Sequence, residues 1–440
     1  MDTPICDLVR SYAESKAMRL HMPGHKGVAL LGPEALDITE IEGADSLYEA
    51  EGIIKRSEEN AGELFGARTF YSAEGSSLCI RAMLFLVKLR FPGMRIAAGR
   101  NAHKSFLNAC ALLDIDVEWL RPKEGEGYLA CALTADDIAN ALEKGERIGA
   151  VYLTSPDYLG NTLDIASISA VCRRRGVPLL VDNAHGAYLK FLPSSCHPMD
   201  LGADMCCDSA HKTLPALTGA AYLHISQSAE PMFAEKAREA LAMFGSTSPS
   251  YLIMQSLDAV NRYISEDYRE RLADYIKLIA DCRARLEGRG YVFCGDEPLK
   301  MTISAKDYGY SGKELADILL AEGIFCEFAD PDYLVLMLTP DNSSEAVARL
   351  EAVLAAIPGK ESAWLHAPAV GPQEKVMSIR EAAFAERETV PASDSLGRVL
   401  AAATVSCPPA VPIVVCGERI GEDAVRCFEY YGIKECIVVK

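Results

Sequence analysis

The sequence predicts an α/β fold with a mainly parallel sheet, followed by a small α+β domain and a C-terminal α+β domain. Three observations carry this. Between about residues 60 and 225 short β-rich runs alternate with helical ones, the pattern of strands joined by crossover helices. From about residue 287 to 358 the order changes to strand, helix, strand, strand, helix. The Pro358 to Glu361 linker and the loop around Pro368 to Gln373 then set off a last unit with its own Pro-rich turn, Pro408-Pro409-Ala410-Val411-Pro412.

In the first region the strand candidates are Arg68 to Ser72, Arg95 to Ala98, Asp116 to Leu120, Gly149 to Thr154, Pro178 to Asp182, Met205 to Asp208 and Ala220 to Ile225. Ser76 to Leu89, Ser105 to Leu113, Ala135 to Glu143 and Ile165 to Arg174 read as helices from their apolar spacing. Longer helices are expected at Tyr251 to Ile264 and Glu270 to Leu286. The small domain should hold strands Lys300 to Ser304, Gly323 to Phe328 and Tyr333 to Leu338, with helices Gly312 to Glu322 and Ser344 to Ala356. The expected division is an N-terminal segment 1–55, a large domain 56–255, a small domain 256–358 and a C-terminal domain 359–440.

A chain of 440 residues suits two or three packed domains, and 50% apolar with 24% charged residues is a globular composition. The net charge of -18 argues against a nucleic-acid partner, because phosphate binding needs a local excess of Lys and Arg. The one basic cluster, Arg173-Arg174-Arg175, reads as cations at a helix C-terminus. The fifteen cysteines form no CxxC, their number is odd, and no secretory leader is seen at Met1 to Arg10. Reduced, buried thiols in a cytosolic protein are expected. Apolar runs such as Ala82 to Val87 are far too short to span a bilayer, so no membrane partner is expected.

The chemistry concentrates at strand ends. Met205 to Asp208 delivers Ser209-Ala210-His211-Lys212 at its C-terminal edge, where open α/β sheets place ligand sites. An amine held in a partly desolvated cleft beside other cations can attack an aldehyde and form an imine; alone, the segment also reads as a surface lysine. Leu179 to Asp182 ends in an acid, with His185 following. An aspartate paired with a pyridine nitrogen would keep it protonated as an electron sink, and His185 could reach the ring's phenolic oxygen; Asp182 as a helix N-cap is the plainer alternative. Gly75-Ser76-Ser77 turns a strand into a helix and offers N–H groups and hydroxyls to a phosphate, or is an ordinary N-cap turn. Finally, Arg100-Asn101-Ala102-His103-Lys104-Ser105 puts a flat imidazole at another strand end, suited to stacking on a cofactor ring.

Five segments together resemble the signature set of the bacterial Orn/Lys/Arg decarboxylases. They are His21 to Gly27, Gly99 to Ser105, Thr154 to Gly160, Val181 to Ala187 and Ser209 to Ala220, in the family's order. Met377 to Ala382 and the Pro408 to Glu418 stretch resemble the family's C-terminal domain, and the length suits the short form without a wing domain. The resemblance implies a fold-type I pyridoxal 5'-phosphate (PLP) transferase-like large domain, in a dimer or an assembly of dimers. It implies decarboxylation of arginine, lysine or ornithine to the amine and carbon dioxide. Lys212 matches the Schiff-base lysine, Asp182 the pyridinium partner and His103 the stacked histidine. Gly75, Ser76, Ser77, Ser209 and His211 match residues near the phosphate, and His185 one beside the ring oxygen. Lys212 or His211 would protonate the α-carbon, and Glu327 and Asp330 are candidate acceptors for the substrate's basic group. The segment His21 to Gly27, read as neither helix nor strand, is expected near the cofactor cleft and the partner chain.

Four positions depart from the family pattern: Glu74 for a usual Asn, Asp157 for a usual Thr, Asn183 for a usual Glu and Tyr188 for a usual His. Two further readings stay open, the first because the fold hosts several reactions and the second because of these departures. One is another fold-type I reaction, such as transamination or carbon–carbon cleavage; the other is a silent relative that regulates an active partner.

Overall fold

The computed structural model describes residues 1–121, 127–144, 147–362, 367–402 and 410–440. Its strands are β1 (Arg68–Ser72), β2 (Arg95–Gly99), β3 (Val117–Leu120), β4 (Ile148–Thr154), β5 (Leu179–Asp182), β6 (Met205–Asp208) and β7 (Ala221–Ile225), then β8 (Phe293–Cys294), β9 (Lys300–Ser304), β10 (Phe328–Ala329), β11 (Tyr333–Met337), β12 (Arg387–Pro391) and β13 (Glu435–Val439). The chain forms two compact units, Met1–Pro92 with Ile165–Arg271, and Gly93–Asp164 with Leu272–Lys440.

In the first unit the strands lie in the order β1-β7-β6-β5. β5 and β6 are parallel, with Val181 opposite Cys206, whereas β7 runs antiparallel to both β6 and β1. Every residue of β5 and β6 is buried, which is why Leu-Leu-Val and Met-Cys-Cys are continuous apolar runs and not alternating ones. β7 is the antiparallel strand within the mainly parallel sheet expected: Ala221 to Ile225 returns directly against its neighbours, with Tyr71 opposite Tyr222. Phe65 packs among Phe191, His197, Tyr222 and His224, its ring centroid 4.4 Å from that of His224.

The sequence reading did not anticipate the helix Pro4–Glu14. Its first-turn N–H groups on Ile5 and Cys6 donate to Asp258 Oδ2 at 3.0 and 2.9 Å, so a carboxylate from the helix Tyr251–Ser265 takes up the unpaired donors of its N-terminus. Ile5 and Val9 are fully buried.

In the second unit β2 pairs in parallel with both β3 and β4. A four-stranded antiparallel sheet has the order β10-β11-β9-β8, and β12 pairs with β13. The expected strand Gly323 to Phe328 is found only as Phe328–Ala329. Gly323, at φ +70°, instead closes the preceding helix through Gly323 N to Leu320 O and Ile324 N to Leu319 O, and Phe325 is left 82% exposed. The short β8 was also unforeseen.

Arg173, Arg174 and Arg175 do occupy the last turn of the helix Ile165–Arg175. All fourteen described cysteines are free thiols, most of them buried. Pro408 and Pro409 of the Pro-rich turn lie outside the described residues. Among the described residues no helix is long and apolar enough to cross a membrane.

Candidate active site

The first unit brings Lys212, His185, Asp182, Ser209 and Ser76 toward the carboxyl ends of β5 and β6. After Asp208 the chain turns through Ser209 into the one-turn helix Ala210–Thr213, where Lys212 is half-buried. Lys212 Nζ stands 3.0 Å from His185 Nε2. The turn after β5 makes this approach possible: Asn183 N donates to Cys207 O at 3.0 Å, prolonging the parallel pairing, and Gly186 N donates to Asn183 O at 2.8 Å. A Cβ on Gly186 would lie 2.0 Å from Asn183 Oδ1 and 2.8 Å from Leu189 Cδ1, so a larger residue here would have to displace the Asn183 side chain.

Asp182 is the last residue of β5 and 2% exposed. Its Oδ1 accepts from Ala184 N at 3.2 Å. It is not a helix N-cap; the 3-10 turn that follows starts at Ala187, with Gly186 in the cap position.

Gly75 occupies the N-cap of the helix Ser76–Arg90 at φ 72°, with no side chain capping that terminus. A Cβ there would meet nothing within 4 Å, so open space lies at Gly75 beside the helix's N–H groups. Ser209 Oγ donates to Ser76 Oγ at 2.9 Å, which joins the turn after β6 to this terminus, and Ser77 follows in the first helical turn. Gly75, not a serine, holds the cap position of this turn. His211 places Nδ1 2.9 Å from Ala220 O; burial lowers the imidazole's pKa below its usual value, and neighbouring Lys212 acts in the same direction.

Behind these groups is a buried network that the sequence reading missed. Asp208 Oδ1 accepts from Asn183 Nδ2 at 2.7 Å, and Oδ2 faces His197 Nε2 at 2.9 Å and His224 Nε2 at 3.2 Å. His224 Nδ1 lies 2.8 Å from Thr69 Oγ1. Burial alone would raise the Asp208 carboxyl, but the two histidines outweigh it and hold the group well below the carboxylate range. His197, Asp208 and His224 are close enough together to hold a metal ion. The hydrogen bonds describe a brace instead: Met199 N donates to His197 Nδ1 at 3.3 Å, which puts the ring proton on Nε2, toward Asp208.

In the second unit, His103 follows β2 and caps the helix Lys104–Leu113, its Nδ1 accepting from Ser105 N at 3.2 Å. A cavity of about 400 Å³ is lined there by Asn101, Thr154, Asp157, Asn161, Thr162 and Asp296, among others. Neither Glu327 nor Asp330 lines it. Glu327 is exposed and accepts from the Tyr158 hydroxyl at 3.0 Å. Asp330 is buried, accepts from Asp332 N and Tyr333 N at 2.7 Å each, and its carboxyl is pushed up to about 6 by burial.

The four departures are accommodated by the chain itself. Asn183 supplies a neutral donor to Asp208, where glutamate would set a second carboxylate. Asp157 Oδ1 accepts from Leu159 N and Asn161 N at 2.9 Å each, closing its own loop. Glu74 accepts from Ser246 N, and Tyr188 is fully buried.

Fold and site define a class: an α/β enzyme with the architecture of the fold-type I PLP enzymes and a half-buried lysine just beyond a strand's carboxyl end. Comparison with known proteins narrows this. Residues 3–294 match the Orn/Lys/Arg decarboxylase major domain, and residues 362–437 match the C-terminal domain of the same family. The chain belongs to the Orn/Lys/Arg decarboxylase family. It is 30% identical to an arginine decarboxylase of Halalkalibacterium halodurans, over 96% of this chain and 91% of that one. It is 29% identical to the uncharacterized protein YaaO of Bacillus subtilis, over 97% and 93% of the two chains. The lysine decarboxylase of Francisella novicida superposes with a TM-score of 0.80 at 17% identity, covering 100% of this chain and 81% of that one.

Proposed function

We propose that this chain binds PLP through Lys212 and decarboxylates a basic amino acid: arginine, lysine or ornithine. The observation that carries the reading is the approach of Lys212 Nζ to His185 Nε2, beside Asp182 and a helix N-terminus open at Gly75. The donor set fits the cofactor. Gly75, Ser76, Ser77 and Ser209 supply the N–H groups and hydroxyls that a phosphate needs, with His211 nearby. Asp182 supplies a carboxylate for a pyridinium nitrogen, and Lys212 an amine for an aldehyde. His103 is assigned to the ring face by resemblance to the family alone.

Bound PLP supplies an electron sink for the pair left behind when the bond from Cα to the carboxylate breaks. The protein's part is to hold, orient and move protons. His185 gives Lys212 Nζ a neighbour with which to exchange a proton. After carbon dioxide departs, Lys212 as an ammonium, or His211 once it has taken up a proton, can deliver that proton to Cα. The brace through Asn183, Asp208, His197 and His224 fixes the two strand ends on which Asp182 and Lys212 are mounted.

Other chemistry is available to the fold, which hosts several PLP reactions. Family membership over residues 3–294 and 362–437 favours decarboxylation. Incubating the purified protein with PLP and a panel of amino acids tests this. Carbon dioxide with agmatine, cadaverine or putrescine is expected; a keto acid would establish transamination, and no turnover of any substrate a silent relative.

The homodimer belongs to the same reading. Met18, Leu20, Met22, Val28, Leu30 and Leu31 are all at least 64% exposed within one short segment that overlaps His21 to Gly27. A second copy of the chain would cover them. The free thiols suit a reducing compartment, so we place the protein in the cytoplasm.

A further inference from the structure

The loop that presents His103 is anchored to the C-terminal segment by a buried ion pair. Arg100 Nη1 donates to Pro412 O at 3.0 Å, and its Nη2 donates to Ile413 O at 3.1 Å and to Glu418 Oε2 at 3.0 Å. The two side chains are 10% and 5% exposed. Glu418 Oε2 also accepts from Val415 N at 2.7 Å, which ties the carboxylate to the same loop that receives the guanidinium. Four residues after Arg100, Lys104 N donates to Ala410 O at 2.8 Å. Ala410 adopts φ +61°, a left-handed conformation that a non-glycine residue holds only when its surroundings impose it. His103 thus sits between two anchor points, Arg100 and Lys104, both made to residues 410–418.

We propose that Arg100 and Glu418 are positioning residues for His103, the histidine that family resemblance assigns to the cofactor, so that the C-terminal domain sets the geometry of the loop that carries it. The inference rests on the proposed PLP function. Arg100 uses both terminal nitrogens on three acceptors held at fixed spacing, which the compact ammonium of a lysine cannot reproduce. Its backbone N donates to Leu120 O at 2.9 Å and its guanidinium lies 5.3 Å from the Trp119 ring centroid, so the side chain is held at both ends. A shift of the 410–418 loop would be transmitted to the His103 backbone through these contacts.

The test uses the full chain loaded with PLP and compares wild type, Arg100→Lys, Glu418→Gln, His103→Ala and the double variant Arg100→Lys/His103→Ala. We expect Arg100→Lys and Glu418→Gln to lower kcat by on the order of tenfold with little change in KM, the signature of misplaced catalytic groups. The visible circular-dichroism band of bound PLP should change shape while far-ultraviolet dichroism does not. In the His103→Ala background, Arg100→Lys should cost little more, because the histidine it positions is gone. Should Glu418→Gln fail to fold, Arg100→Lys, which keeps the charge, still decides. A folded Arg100→Lys protein with the wild-type band and kcat overturns the proposal, as does full additivity in the double variant. Wild-type protein that binds no PLP sinks the parent reading, and this inference with it.

Discussion

Lys212 Nζ and His185 Nε2 lie 3.0 Å apart, although 27 residues separate them in the chain. The pair forms because β5 and β6 are parallel neighbours whose carboxyl ends coincide, with Asp182 opposite Cys207 in the register. His185→Ala should therefore leave PLP bound but slow the steps in which Lys212 gains or loses a proton. A kcat lower by on the order of 10²-fold, with a shifted pH profile, is expected. An unchanged profile would show the contact to be incidental.

Asp182→Asn should retain the cofactor while losing most of the turnover, since an amide does not hold a pyridine nitrogen protonated. Steady-state kinetics should show a fall in kcat far larger than any rise in KM. Nearly unchanged turnover would reduce Asp182 to the turn contact it makes with Ala184 N.

Asp208→Leu should destabilise the first unit strongly. It removes the shared acceptor of Asn183, His197 and His224 from a site with no exposure and leaves three donors unsatisfied. A loss of about 3–5 kcal/mol is expected from urea unfolding, comparable to breaking a buried charged network. A loss below about 1 kcal/mol would mean the brace is dispensable.

Asp330 gives stability a pH dependence of definite sign. Its carboxyl titrates at about 6 in the folded chain against an ordinary 3.8, so the folded state keeps a proton that the unfolded state releases. Stability should fall as pH rises from about 4 to about 6 and stay lower above. Asp330→Asn keeps an acceptor for Asp332 N and Tyr333 N but cannot ionise. It should match wild type near pH 4 and exceed it by about 2 kcal/mol at pH 8; equal stability at both pH values would contradict this.

The exposed apolar segment can be tested without removing the helix Pro4–Glu14, whose Ile5 and Val9 are core residues. Replacing Leu20, Leu30 and Leu31 with serine should weaken self-association and lower activity together, as read by sedimentation and turnover. A fully active dimer would exclude the segment from the interface.

The strand ends that carry Asp182 and Lys212 were legible because parallel strands buried on both faces read as short apolar runs that stop at a polar residue. The antiparallel return of β7 was not, since Ala221 to Ile225 has the same apolar composition whichever way it pairs. Gly323 to Phe328 misled because Ile324, Phe325 and Phe328 suggest a strand, while Gly323 is spent on ending a helix. His197 left no signal: its loop has no periodicity, and its partner Asp208 is defined only by the fold. The Arg100–Glu418 pair spans 318 residues and has no local signature either.

The most direct measurement is borohydride reduction of the PLP-loaded protein followed by peptide mapping, which fixes the cofactor to the amine that holds it. The account predicts that the label lies on Lys212 and that Lys212→Ala retains neither label nor decarboxylase activity. A label on Lys26 or Lys104, or full activity in Lys212→Ala, would contradict it.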